Sequence, residues 1–446
     1  MEIWRSLKRL WRHRQFRKLL GVRIATQVSD GTLQVGMASY VLFSPQSQPN
    51  AIAIATVLAI TLLPFSVLGP FASVVLDRWS RQRAIVVTDG IRGLIALSLA
   101  VLVWSGDRSA PVQSAMFGLL LVAMSLNRFL LAGLTAALPH TVTPRDYLTA
   151  SSIMPVIGPS GVMVGGLIAG GLRLLLSPRF MPAHHADAIV FVVSATLFAV
   201  SVSLGFLFRK HDLGPERGLA APSLRQVWPD LADTCRHLGE QGAARLGLLV
   251  ITAQRFLFGV MMVGVILGYR NHFHEVHRVN AAMADMGLWA GAMGVGFVLS
   301  AALVPPLGHA IGLRRTVLVL LVASGLVQAI PGAMFTRPTL VASGFALGLF
   351  AQALKICIDT VCQAHVADAH KGRVFVLYDM VFNGAIVVAA VAAIWLLPPT
   401  GLSVPVFVGL GVGYLLLAAS FWHGSRRQGD AGFNAGTGLV PADEAA

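Results

Sequence analysis

The stretch GPFASVVLDRWSRQRAIVVTDGIR (Gly69–Arg92) ends one apolar run and opens the next. Its seven central residues, Asp77 to Arg83, hold one carboxylate and three guanidiniums between two segments of membrane-spanning length. Such a loop must sit in water, so the stretch reads as a helical hairpin with its tip outside the hydrocarbon. An acid inside a basic loop points to a latch. Asp77 closes the preceding helix, and Arg81 or Arg83 reaches a neighbouring helix end, where a cation meets exposed carbonyls.

Working outward, the rest of the chain fits the same setting. Of 446 residues, 55% are hydrophobic and only 12% charged, too apolar for a soluble globule. The mean hydropathy of +0.72 agrees. Twelve apolar runs are long enough for a hydrocarbon core that takes about 20 helical residues. They fall near 19–43, 51–76, 84–104, 114–138, 148–176, 186–208, 246–268, 286–308, 315–335, 339–363, 374–397 and 402–423. The expected fold is therefore all-α and integral to the membrane, with twelve transmembrane helices in two pseudo-symmetric six-helix bundles.

The net charge of +14 raises nucleic acid as a partner, and its distribution argues otherwise. With the amino terminus inside, 23 of the 34 Lys and Arg lie in inner-side segments and six in outer loops, counting Arg173 and Arg315 with the loops they border. That is the positive-inside pattern, which places both termini in the cytoplasm and the chain in the inner membrane. Membrane lipids and a small-molecule substrate are the expected partners, with no nucleic acid, and a monomer is expected.

The expected organisation has five parts. Residues 1–18 form a basic amphipathic segment, with Trp4, Leu7 and Trp11 at helical spacing, lying on the anionic leaflet. Residues 19–208 and 245–423 are the two bundles. Residues 209–244 are a cytoplasmic linker with an amphipathic helix, patterned by Leu224, Val227, Trp228, Leu231 and Leu238. The polar, Gly-rich tail 424–446 is expected to be disordered. The halves echo one another. The hairpin loop has a fainter copy at Gly308-His309-Ala310-Ile311-Gly312-Leu313-Arg314-Arg315, with His309 in the place of the acid.

Ionisable groups at mid-span cost about 2.5–3.5 kcal/mol each on insertion scales, so they face a cavity or a partner. Counting about 1.5 Å per residue from the inner ends, Asp30, Arg128, Arg255 and Lys355 fall near mid-membrane on spans one, four, seven and ten. Each of these four deep charges needs a cavity or a partner to receive it. Asp30 and Arg128 come out at similar depth, which makes them either a proton-coupling pair or a fixed structural pair. Lys355 and Asp359, four apart, share a helical face. Asp359, Arg373 and Asp379 then form an inner cluster that, with Asp77, Arg78, Arg81, Arg83, Asp89 and Arg92, is expected to brace the cytoplasmic gate. Arg23 lies nearer the interface, within reach of it by snorkelling.

No cofactor is expected, and no metal. The outer His272, His274, Glu275 and His277 match no standard ligand frame. Cys235, Cys357 and Cys362 form no disulfide framework. No Gly-Lys dipeptide occurs for a phosphate loop, and no His is followed five residues on by Asp, which disfavours an intramembrane enzyme.

Asp77, Arg78 and Arg81 resemble the loop between the second and third helices of the major facilitator superfamily, with Ser73 and Ser80 where that pattern has Gly. Gly158 to Gly166, carrying Gly-Pro and Gly-Gly, resembles the fifth-span antiporter signature with altered spacing. Lys355, Asp359, Arg373, Tyr378-Asp379 and Asn383 resemble the macrolide-efflux and enterobactin-exporter branch. The resemblance implies that spans one, four, seven and ten line a central cavity, which makes Asp30, Arg128, Arg255 and Lys355 the expected substrate-cavity residues. It also implies an alternating-access secondary transporter, a proton-coupled exporter of an amphipathic drug-like compound or metabolite. The excess of cations over Asp30 leaves an anionic solute, siderophore-like or a lipid headgroup, as the alternative.

Overall fold

The computed structural model describes residues 10–42, 50–67, 80–177, 180–209, 212–214, 227–275 and 278–437. Every element among them is helical: α1 (Arg14–Leu42), α2 (Ala51–Val67), α3 (Arg81–Trp104), α4 (Ala110–Ala137), α5 (Pro144–Leu176), α6 (Ala183–Phe206), α7 (Val227–Glu240), α8 (Gly242–Leu267), α9 (Val279–Ala329), α10 (Arg337–His365), α11 (Asp368–Leu396), α12 (Val404–Ser425) and α13 (Gly429–Asn434). Helix is described in each of the twelve predicted intervals. Intervals eight and nine share α9, which breaks at Gly312, where φ is +76°. Only glycine adopts that region at low cost. Among the described residues nine helices meet the length and hydropathy needed to cross a membrane, α9 being long enough for two passes.

Two compact units emerge. Unit 1 comprises residues 1–44 and 60–227, and unit 2 residues 45–59 and 228–446. The break at 227/228 differs from the expected linker: α7 belongs with unit 2, because Leu238 is buried in that unit's apolar core. Arg14–Lys18, expected in a separate surface segment, are the first turn of α1; residues 1–9, with Trp4 and Leu7, lie outside the described residues.

The repeat read from the sequence is visible in the packing. In unit 1, α1 packs on α5 and α6, and α3 on α6. In unit 2, α8 packs on α11 and α12, and the second part of α9 on α12, with Gly325 against Gly411 and Tyr414. In a bilayer such contacts are driven by close van der Waals fit, which small residues permit. The Gly158–Gly166 stretch does this in unit 1: a methyl group on Gly165 would run into the Val28 carbonyl of α1, and one on Gly31 into Val162 of α5. Thr32 Oγ1 also donates to the Gly165 carbonyl at 3.2 Å. Gly165→Val is therefore expected to force α1 from α5 and cost about 1–3 kcal/mol by overpacking. A lower melting temperature of the purified protein checks this, with Gly170→Ala, which meets open space, as the control.

The tail departs from expectation. Rather than being disordered from 424, the chain folds back on unit 2 through Thr437, and α13 buries Phe433 completely against Phe421. Residues 438–446 lie outside the described residues.

Candidate functional site

In unit 1 the central feature is a dry ionic cluster joining α1, α3 and α6. Asp30, Asp89 and Arg92 each have 0% exposure. Arg92 forms ion pairs with both Asp30 and Asp89, the latter at 3.0 Å. Gln27 Nε2 donates to Asp30 Oδ2 at 3.1 Å. Asp89 accepts from Thr26 Oγ1 at 3.1 Å and from Ser201 Oγ at 2.5 Å. The Arg92 guanidinium lies 4.4 Å from the centre of the Phe198 ring, a desolvated cation–π contact.

Two expectations change here. Equal depth pointed to Arg128 as the partner of Asp30, but the ion pair the structure shows is with Arg92. Depth along a helix says nothing of azimuth, and α3 is the neighbour that presents a cation to Asp30. Asp89 and Arg92 pair with each other, as their three-residue spacing allows, but within the unit's interior rather than at the gate they were expected to brace. Arg128 is half-buried on α4 and has interactions of its own.

At the end of unit 1 that carries the basic loop, Asp77 and Arg78 lie outside the described residues. Arg81 Nη1 donates to the Ala136 carbonyl at 2.8 Å, in the last turn of α4, and to the Leu213 carbonyl at 2.9 Å. The Arg81 amide donates to the Gly214 carbonyl at 3.2 Å. Arg83 is exposed. A second buried pair escaped the sequence reading: Arg173 Nε lies 2.8 Å from Asp187, which also accepts from Ser39 Oγ at 2.7 Å. Both residues fall at predicted span ends, where a charge passes as interfacial.

In unit 2, α8, α10 and α11 converge on a different arrangement. Lys355 Nζ donates to Asp359 Oδ2 at 2.6 Å, the i,i+4 pair expected. Lys355 also sits 5.2 Å from the Tyr378 ring centre and 5.6 Å from that of Phe382. Arg255 stacks 3.9 Å over Phe382 and lies 5.6 Å from Phe258. Its Nε is buried with no hydrogen-bond partner, and no carboxylate of the described residues forms an ion pair with it. Gln352 Oε1 and Asp359 Oδ1 are likewise buried and unpartnered. Asp359, which Lys355 holds, also acts on Arg255, so these three side chains carry one positive charge in excess, set on an aromatic wall. Arg373 is exposed and Asp379 half-buried, both with interactions of their own.

Cys357 and Cys362 are buried and Cys235 exposed, all three free. His274 pairs with Asp285 at 2.8 Å, and Arg337 joins at 3.3 Å; His277 lies outside the described residues. Among the described residues no group of three His, Cys, Asp or Glu is placed to hold a metal.

No protein-family profile matches the chain. Curated relatives do. Proteins described as uncharacterised MFS-type transporters from Mycobacterium bovis and Mycobacterium tuberculosis are 30% identical to it over 421 residues, covering 92% of this chain and 90% of theirs. Among solved structures, the nucleoside transporter NupG superposes with a TM-score of 0.64 at 13% identity, over 92% of this chain and 99% of that one. A POT family transporter in complex with a thioalcohol-conjugated peptide gives 0.66 at 11% identity, over 92% and 96%. A bacterial homologue of the lysosomal transporter Spinster gives 0.58 at 14%, over 92% and 97%. These likenesses establish the fold, and the curated relatives are transporters rather than enzymes. With apolar helices in two repeated units and relatives matched almost end to end, the chain belongs to the major facilitator superfamily, an integral membrane transporter.

Proposed function

We propose that the protein is a proton-coupled exporter of amphipathic small molecules whose polar end is anionic, working by alternating access with no cofactor beyond the proton gradient. The observation that carries the substrate class is Arg255, a guanidinium with no ion pair among the described residues and an unpartnered buried Nε, stacked on Phe382. Burying a cation without a carboxylate is costly unless a ligand supplies the charge. The partly exposed aromatic face of Phe382, beside Arg255, would take the apolar body. Drug-like acids, siderophore-like metabolites and lipid headgroups fall within this class. The buried position of Asp30 on Arg92 supports it too, since that carboxylate is already engaged and does not offer itself to a cationic drug.

Proton coupling rests on charge arithmetic in unit 1. Two carboxylates share one guanidinium at zero exposure, so a fully ionised cluster carries one excess negative charge out of water. A proton on one carboxylate removes that cost. We assign the mobile proton to Asp30, because Asp89 is held by Ser201 and Thr26 as well as Arg92. Export follows from the electrical balance. Exchanging an anion out for a proton in moves two charges with an inside-negative potential, worth about 4.6 kcal/mol at about 100 mV. The inner-side excess of Lys and Arg supports placing both termini in the cytoplasm and the protein in the cytoplasmic membrane, where it acts as a monomer.

A matched pair of permanently charged probes tests the substrate class. Purified protein is expected to bind naphthalenesulfonate more tightly than naphthyltrimethylammonium. Arg255→Gln should weaken the sulfonate about 10–100-fold, the worth of a charge-assisted hydrogen bond, and leave the cation unchanged. Equal affinity for the two probes, or an indifferent Arg255→Gln variant, would sink this substrate class.

A further inference from the structure

The faint second copy of the hairpin loop has His309 where the first has Asp77, so it lacks an acid within its own sequence. The structure places one there from elsewhere in the chain. Asp430, on α13, receives Arg314 Nη1 at 2.6 Å on one oxygen and Arg315 Nη2 at 2.7 Å on the other. Four residues on, Asn434 Oδ1 accepts the backbone N–H groups of Leu313 at 2.9 Å and Arg314 at 3.3 Å. Gly312 breaks α9 at this point, so these are the first amides of a new helix, lacking carbonyl partners one turn back; Asn434 caps them. Ser425 accepts from Arg314 Nε at 2.8 Å, and Trp422 lies 4.4 Å under the guanidinium. Two further contacts hold the segment down: Phe433 is buried against Phe421, and the His365 ring pairs with the Gly432 carbonyl at 3.0 Å.

Unit 1 repeats this plan. The segment after its last helix, 212–214, returns to the start of α3, where Gly214 accepts the Arg81 amide and Leu213 the Arg81 side chain. In both units, then, the chain leaving the last helix caps the helix that follows the hairpin loop. We propose that residues 426–437 are a built-in clasp that completes the second latch, with Asp430 and Asn434 as positioning residues that set the start of helix 313–329 for the transport cycle. This goes beyond the proposed substrate and coupling, and rests only on the family's conformational cycle. Burial alone would raise the Asp430 carboxyl, but the hydrogen bond and charge of Arg314, with Arg315, outweigh it and hold it below the usual carboxylate range. A depressed native value means that the clasp is intact at neutral pH and weakens only as pH falls through that value.

Hydrogen exchange on the full chain in nanodiscs, without substrate, tests the clasp. Asp430→Asn and Asn434→Ala are expected to speed exchange at 313–318 about tenfold, the effect of losing a cap or a charged partner. Asp430→Glu should restore slow exchange, and amides at 340–350, further along the same unit, should not change. Uniform loosening across unit 2 would mark a merely structural tail, and unchanged exchange in Asp430→Asn would remove the clasp altogether. The positioning role is read by naphthalenesulfonate flux into proteoliposomes, where Asp430→Asn should lower turnover about threefold with KM unchanged, as for a perturbed conformational step. An unaltered turnover overturns that role. If the wild type carries no naphthalenesulfonate, the substrate reading fails and the exchange result alone decides the clasp.

Discussion

Replacing Arg92 by Leu should cost unit 1 about 3–5 kcal/mol, the penalty of stripping the partner from buried charge. The reason is arithmetic: Asp30 and Asp89 share this guanidinium, so its removal leaves two carboxylates at zero exposure with no cation. Hydroxyl and amide donors from Ser201, Thr26 and Gln27 remain, but they offset only part of that cost. The melting temperature of the purified variant should fall sharply, or the protein should fail to accumulate. The triple change Asp30→Asn, Asp89→Asn, Arg92→Leu should recover most of the loss, because it takes out the charges together. A triple variant no better than Arg92→Leu alone would show that the cost lies in packing on Phe198 rather than in charge.

Asp30→Asn carries the second large effect and falls on coupling rather than folding. Asn at this position still accepts from Arg92 through Oδ1, its Nδ2 can donate to Gln27 once that amide turns over, and Asp89 still neutralises the guanidinium, so the melting temperature should move little. What disappears is the carboxyl proposed to exchange a proton. Uphill transport should be abolished, while downhill counterflow of naphthalenesulfonate persists at a rate near wild type. If Asp30→Asn still concentrates the probe against a gradient, Asp30 is not the coupling group. Loss of counterflow as well would make it a structural residue.

The parts of this architecture that were legible in the sequence are those that repeat or that lie next to each other. Apolar runs marked the helices, since each must satisfy its own backbone in lipid. Lys355 and Asp359 were readable as a pair because four residues make one helical turn. The arginine-to-carbonyl contact of the basic loop was readable in kind, because helix ends on that side leave carbonyls for a cation, but not its partner, Ala136 of α4. Which helices meet was not readable. Asp30 meets Arg92 sixty-two positions away, and nothing in depth alone separates that partner from Arg128. The tail misled for a related reason. Its Gly-rich composition signals disorder when averaged, yet a few residues at chosen positions, Asp430, Phe433 and Asn434, suffice to fasten it. A signal for this did exist. The second hairpin loop kept two arginines and had lost its acid, and an unmatched Arg pair asks for a carboxylate from elsewhere.

In the proposed mechanism an anion leaving on Arg255 is exchanged for a proton entering through Asp30. Proteoliposomes loaded with naphthalenesulfonate and a pH-sensitive dye, with the membrane potential clamped, measure both movements at once. Release of the probe is expected to acidify the lumen, an inside-negative potential to speed both, and Asp30→Asn to remove the acidification. Probe efflux with no change in luminal pH, or with alkalinisation, would contradict it.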